Sequence, residues 1–302
     1  MKRADFRFLD RLRVRWAEVD MQRVVFNAHY LAWFDTAMGA YWRALALPYE
    51  RTLEMLEGDL FVRHAGLDYL AAARYDEVLD VGLRFVGAGS TSLRFDAGVF
   101  RGEALLVRGE LVYVWTTAPR QDALQRPQAV PPVLVQALQA HAAGEAMIDV
   151  EVGGWQELAA PACDLRTAVF VEEQGIAREL VMDAADPTAV HAVARNRMGL
   201  AVGTGRLLSA QEGHPARIGR MAVRGDLRGA RVGRAVLEAL AGHAATRGDD
   251  EVALHAQASA IGFYLGAGFR PHGARFEEAG IEHQEMRRRT AEPSLPETVG
   301  RT

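Results

Sequence analysis

Between Tyr30 and Leu45, apolar residues recur at helical spacing: Tyr30, Trp33, Phe34, Ala37, Met38, Tyr41 and Leu45. Trp42 carries the apolar surface onto a second face, so other structure must wrap this helix rather than merely support it. Asn27 reads as its N-cap, and Pro48 closes it. Downstream, Leu79, Val81, Leu83 and Phe85 alternate with Asp80, Gly82 and Arg84. Leu93, Phe95, Ala97 and Val99 alternate in the same way, and Leu111, Tyr113 and Trp115 continue the pattern. GAGS at 87–90 and RGE at 101–103 mark the turns between these strands. Consecutive, hairpin-linked strands favour an antiparallel sheet.

The texture then changes. PRQDALQRPQAVPP, 119 to 132, is polar and proline-bearing, and a short helix from Val133 to about His141 follows. Beyond Gly144 the order is strand, helix, strands, helix, strand, helix, strand. A chain of 302 residues is long enough for two domains, each burying its own core. The expected division is a first domain over 1–145 and a second over 146–290. Residues 291–302 lack apolar periodicity and are expected to be disordered. The two halves share no internal repeat.

Several classes of chemistry are excluded at this level. A net charge of −4 gives no electrostatic reason to expect nucleic acid or a membrane surface as partner. No apolar run is long enough to span a bilayer, and the charged amino terminus lacks the apolar core of a secretory signal. Cys163 is the only cysteine, which leaves no intrachain disulfide and no cysteine-based metal site. A cytoplasmic protein is expected. Lys2 is the only lysine, which argues against Schiff-base chemistry and a Walker-type phosphate loop. No HExxH and no other pair of histidines four apart is present, so no metal is expected. No GxSxG elbow occurs either. Carboxylates, tyrosines, backbone amides and arginines are left to carry any chemistry.

Asp20 stands seven residues ahead of Asn27, across the loop MQRVVF. A carboxylate can attack a carbonyl or activate a water. The amides at a helix start, here Phe26, Asn27 and Ala28, can polarise the carbonyl oxygen with help from the helix dipole. A lone aspartate in a loop is nevertheless more often a turn former or cap than a catalyst. Glu18 either positions Asp20 or faces water. Arg23 is either a phosphate contact or a solvated arginine. His64 reads as a satisfied structural histidine, and Asp35 as part of the exposed rim of the helix.

VRWAEVDMQRVVFNAHYLAWFDTA resembles the opening motif of hotdog-fold thioesterases of the 4-hydroxybenzoyl-CoA thioesterase and YbgC/FadM type. The resemblance continues through FVRHAGLDYLAAARYDEVLDVGLRFV to RGELVYVWTT, covering about residues 8 to 140. It implies a long helix wrapped by an antiparallel sheet, and sites built across the interface of a homodimer or homotetramer. It also implies an acyl-CoA or acyl-carrier-protein thioester as substrate, with the catalytic carboxylate on Asp20. Asn27 stands where many YbgC-type members carry histidine, and Met21-Gln22-Arg23 replaces a glycine-containing turn.

In the second half, a strand from Ile218 to Val223 leads through Arg228-Gly229-Ala230-Arg231-Val232-Gly233 into a helix from Arg234 onward. Glycines in such a turn let successive amides point at one anion, and Arg228, Arg231 and Arg234 add positive charge. GTGR at 203–206 reads as a glycine-containing strand. RTAVFVEEQG, AVGTGRLL, IGRMAV, LRGARVGRAVL, LHAQASAIGFYLGAGFRP and FEEAGIEHQEM occur in the order seen in GNAT acetyltransferases, and look most like the ElaA-type branch. This resemblance covers about residues 147 to 287. It implies a mixed α/β GNAT fold behind the hotdog fold, hence a two-domain α+β chain. Acetyl-CoA as co-substrate is then expected along Met221, Ala222 and Val223. Its pyrophosphate is expected on the amides of 229 to 234, and an amine is expected as acceptor. Tyr264 matches the general acid of many GNATs; Glu173, His255 and His283 are nominated as base, with no spacing that selects among them. The two halves together imply a bifunctional enzyme. The rival readings are a hotdog module that only dimerises or senses acyl-CoA, or a second half that only binds CoA.

Overall fold

A computed structural model describes residues 1–118, 124–278 and 280–290. The expectation for 291–302, and part of the polar stretch 119–132, lies outside these. The chain divides into two compact units, 1–147 and 148–302.

The first unit comprises β1 (Phe8–Arg13), α1 (Asn27–Ala44), α2 (Tyr49–Met55), β2 (Gly58–Tyr69), β3 (Val78–Ala88), β4 (Ser92–Arg101), β5 (Ala104–Thr117) and α3 (Pro132–Ala143). The strands form one five-stranded sheet in the order β1-β3-β4-β5-β2, and every pairing is antiparallel. α1 buries Tyr30, Trp33, Phe34, Ala37, Met38, Tyr41 and Trp42. Tyr41 meets Phe8 of β1 and Phe95 of β4 edge-on, at centroid distances of 5.2 and 5.8 Å. Phe34 lies over Gly109 of β5, where a Cβ would come within 2.8 Å of the ring, so that glycine sets how close the helix approaches. The wrapped helix is therefore present.

The N-cap differs from expectation. Phe26, extended at φ −62° and ψ 135°, occupies the cap position, and Asn27 is the first helical residue with no side-chain cap bond. The backbone of the preceding loop holds the helix start instead: the Phe26 amide donates to the Glu18 carbonyl at 2.9 Å.

The second unit comprises β6 (Ile148–Gly153), α4 (Trp155–Arg166), α5 (Arg178–Val181), β7 (Val190–Asn196), β8 (Ala201–Leu208), β9 (Ala216–Val223), α6 (Val232–Arg247), β10 (Glu251–Gln257), α7 (Ile261–Gly266), β11 (Arg270–Glu278) and β12 (Ile281–Arg289). A π-helical turn, Thr167–Glu173, extends α4. The seven-stranded sheet runs β11-β12-β10-β9-β8-β7-β6. β9 and β10 are parallel, joined by α6 as crossover; the other pairings are antiparallel. α6 packs Val236, Leu237, Leu240 and Ala244 on Val202, Leu207, Ile218, Val252 and Leu254. Leu158 and Ala162 of α4 pack with Val193 in a separate cluster. GTGR belongs to β8. A Cβ at Gly203 would meet Val232 at 2.6 Å, and one at Gly205 would meet Leu240 at 2.8 Å, so these glycines admit α6 to the sheet. Among the described residues, no helix is long and apolar enough to cross a membrane.

Candidate functional site

Asp20 occupies a tight reversal leading back to α1. Val19 bridges Val25 in antiparallel pairing. The Asp20 amide donates to the Val24 carbonyl at 2.9 Å, and the Arg23 amide donates to the Asp20 carbonyl at 3.0 Å. Arg23 takes a left-handed φ of 63°, supplying the turn that a glycine would otherwise make. The half-buried Asp20 carboxylate accepts the Gln22 amide at 2.8 Å. Because Glu18 pairs with Phe26 further along the same reversal, the acid and the helix start belong to one hydrogen-bonded loop. The amides of Asn27 and Ala28 donate to nothing among the described residues, as the first turn of a helix leaves them. Phe26 is exposed.

Glu18 neither faces water nor contacts Asp20 through its side chain. Only 2% exposed, it accepts Trp33 Nε1 at 3.0 Å, and Arg15 through both its amide and its guanidinium, each at 2.7 Å. Burial pushes its carboxyl up, but the bonds from Arg15 and Trp33 outweigh this and hold it below the ordinary value. His64 is exposed at a register shift of β2, rather than a buried, satisfied histidine. Asp35 is exposed on α1, as expected. It also lines a cavity of about 290 Å³ with Met38, Tyr41, Tyr49, Phe95 and Tyr113.

In the second unit the sheet opens. β9 and β10 pair over only three positions, Ala216 to Ile218 against Val252 to Leu254, and then separate. Arg220, at a left-handed φ of 53°, bulges β9 at the point of divergence, and the β8–β9 register shifts there. A cavity of about 730 Å³ fills the gap. Its walls include Gly219, Arg220 and Met221 of β9, Leu254, His255 and Gln257 of β10, and Tyr264 of α7. Beyond Val223 the chain turns into α6, which begins at Val232, two residues earlier than expected. Gly229 and Arg231 take left-handed φ values of 85° and 64°. The amides of Gly229, Val232, Gly233 and Arg234 donate to nothing among the described residues; that of Ala230 is spent within the turn on the Leu227 carbonyl.

The expected arginines are engaged with protein. Arg228 makes a two-pronged pair with Glu173, at 2.6 and 2.7 Å, which holds the Glu173 carboxyl below its ordinary value. Arg234 bonds the Gly266 carbonyl at 2.8 Å and Glu238 at 3.0 Å. Tyr264 is buried between Phe263 and Phe269, with its hydroxyl bonded to nothing among the described residues. Burial pushes that hydroxyl up to about 12. No three His, Cys, Asp or Glu side chains converge as metal ligands among the described residues.

Two family models match the chain: the thioesterase superfamily over residues 22–108 and the acetyltransferase (GNAT) domain over residues 168–290. The chain joins a thioesterase-superfamily segment to a GNAT domain. The first match begins two residues beyond Asp20, whereas the second includes the α6 turn and Tyr264. An Aquifex aeolicus putative esterase is 28% identical over 102 residues, 33% of this chain and 78% of that protein. The acyl-CoA thioesterase YbgC of Haemophilus influenzae is 27% identical over 95 residues, 32% and 70% respectively. The solved structure of a putative N-acetyltransferase from Lactobacillus plantarum is 30% identical, spanning 48% of this chain and 99% of that one, with a TM-score of 0.45. The fold class is thus a two-domain α+β arrangement, hotdog-type and then GNAT-like.

Sequence reasoning overlooked what shapes the GNAT cleft. Arg220 donates to the carbonyls of Leu180 and Val181 at 2.7 and 2.9 Å, and to Asp183 at 2.7 Å. Asp183 also receives Arg206 at 2.6 Å, and Asp186 receives Arg206 and the fully buried Arg166, at 2.8 and 2.9 Å. These residues lie far apart in sequence, and no local spacing links them. The only local signal was DAAD at 183–186, which reads as a turn.

Proposed function

We propose that the chain is a bifunctional CoA-thioester enzyme: the first unit hydrolyses an acyl-CoA, and the GNAT domain acetylates an amine with acetyl-CoA. In the first unit, Asp20 attacks the thioester carbonyl or deprotonates a water that does so, while the amides of Asn27 and Ala28 stabilise the oxyanion. The shared loop of acid and helix start supports this reading. In the second unit, acetyl-CoA lies along Met221, Ala222 and Val223, where β9 has parted from β10. Its pyrophosphate sits on the free amides of Gly229, Val232, Gly233 and Arg234. Tyr264 protonates the departing thiolate; its raised hydroxyl keeps the proton until sulfur leaves. The observation that carries the transferase reading is the opening of the sheet, with Tyr264 in its wall and unspent amides at its mouth.

The protein works as a homodimer or homotetramer joined through the first unit. β2 is a twelve-residue edge strand exposing Phe61, Val62 and Tyr69, a surface suited to pairing with its own copy.

One observation favours a second reading of the first unit, as a dimerisation or acyl-CoA-sensing module: the Asp20 carboxylate already accepts a bond within its own turn. Free-thiol release from a panel of acyl-CoAs, without amine, separates the two. The hydrolase reading expects Asp20→Asn to lose about 100-fold or more of turnover while retaining acyl-CoA binding. Binding without turnover in the wild type would instead establish the module. Amine-dependent thiol release from acetyl-CoA tests the second unit in the same assay.

A further inference from the structure

One cluster in the cleft has no part in the steps above. Val252, Leu254 and Ala256 of β10 and Met286 of β12 point into the core with α6. Strand alternation therefore sends His255 and His283 to the opposite face, where both line the cavity. There His255 Nδ1 lies 2.9 Å from Glu278 Oε2 on β11. The Phe276 ring meets His255 edge-on at 4.8 Å and stacks on His283 at 6.0 Å, fixing the imidazole plane.

A carboxylate can only accept, so Nδ1 carries the proton and Nε2 keeps a lone pair. Nε2 makes no hydrogen bond among the described residues. Burial pushes the Glu278 carboxyl up, but the His255 bond and the charges of His283 and Arg217 hold it below its ordinary value, ionised as this tautomer requires. The other two nominees lack such an arrangement. Glu173 is taken by Arg228, and His283 Nδ1 is directed at the neutral carbonyl of Ile281, at 2.8 Å, so Glu278 acts on it through space and not through a bond.

We infer that His255 is the general base of the acetyl transfer and that Glu278 is its positioning residue, an inference that rests on the transferase reading of the second unit. The neutral amine nitrogen attacks the thioester carbonyl, forming the C–N bond. His255 Nε2 takes the proton that the nitrogen sheds. The C–S bond breaks, and the sulfur receives the Tyr264 proton. Water returns the imidazolium proton to the tyrosinate, so the net products are the acetamide and CoA thiol. Glu278 steadies the transient imidazolium, as a carboxylate does for a catalytic histidine.

The test is a pH–rate profile of amine-dependent thiol release by the full chain, using the same amine for wild type, His255→Asn and Glu278→Gln. The groups facing His255 are Glu278 on β11, His283, Glu285 and Arg287 on β12, and Arg217 on β9, and both variants leave all but the named residue in place. His255→Asn is expected to lower kcat by about 100-fold or more, without raising KM for acetyl-CoA, and to lose the acidic limb attributable to the imidazole. Glu278→Gln is expected to lower kcat by about 10-fold while leaving KM for acetyl-CoA unchanged, the split expected when the base loses its positioning partner and the cleft stays intact. A His255→Asn protein with wild-type kcat and limb overturns the base assignment while the transferase reading stands. A wild type that releases no thiol with any amine removes the transferase reading, and this inference with it.

Discussion

Glu18 shows how far a residue's neighbours decide its role. It sits two positions from Asp20, yet one carboxylate is locked beneath α1 by Trp33 and Arg15 while the other lies half-buried in the turn. Because the folded Glu18 pKa is depressed, its stabilisation is fully present above the ordinary glutamate value and is lost as pH falls through the folded one. Glu18→Gln should therefore lower the melting temperature at pH 7, and the difference from wild type should shrink on acidification; thermal melts from pH 7 to pH 3 check both. Asp20 and Tyr264 were nominated because both lie in motifs that resemble those of known families. Glu18 was not legible, since its partner Trp33 comes from the far side of the loop, and Asn27 was misread because the cap is supplied by backbone rather than by side chain.

α1 and β5 were legible because their buried and outward positions follow the helical and strand periods. β3 and β4 were legible because apolar residues alternate with polar residues or glycine, even though Leu79 to Leu83 and Ala97 to Phe100 are buried on successive positions. β2 was not. Its middle, Val62 to His64, is exposed on successive residues, so no period of two survives there. The cleft was equally hidden, since it depends on a non-glycine residue at positive φ. Arg220 holds that bulge through two carbonyls and Asp183. Arg220→Gly keeps the backbone conformation but removes the anchors. It is expected to raise KM for acetyl-CoA several-fold with little change in the melting temperature, as steady-state kinetics and a thermal melt would show. Deeper in the network, Asp186→Asn leaves Arg166 and Arg206 without their shared carboxylate. The expected loss of about 3–5 kcal/mol is measurable by denaturant unfolding.

For the whole molecule, the seam between two textures of sequence identified two units, because each builds its own sheet and core. An assembly was expected only through the family resemblance. The edge strand now gives it a physical handle: Val62→Lys places a charge in the exposed middle of β2. Wild type is expected to sediment as a dimer or tetramer and the variant as a smaller species. A wild type that sediments as a monomer at all concentrations would defeat the assembly proposed for the first unit.

From Gly219 onward, β9 has a neighbour on one side only, so the second sheet is short of a rung over half its height. Its unshared amides should trade hydrogen for solvent deuterium quickly, whereas the paired stretch from Ala216 to Ile218 should resist. An acyl-CoA seated there would finish the sheet much as an added strand does. Its arrival should be recorded as slowed deuterium uptake confined to Met221 through Val223 and the α6 turn. The protein would thus stiffen where its own chain left the ladder incomplete.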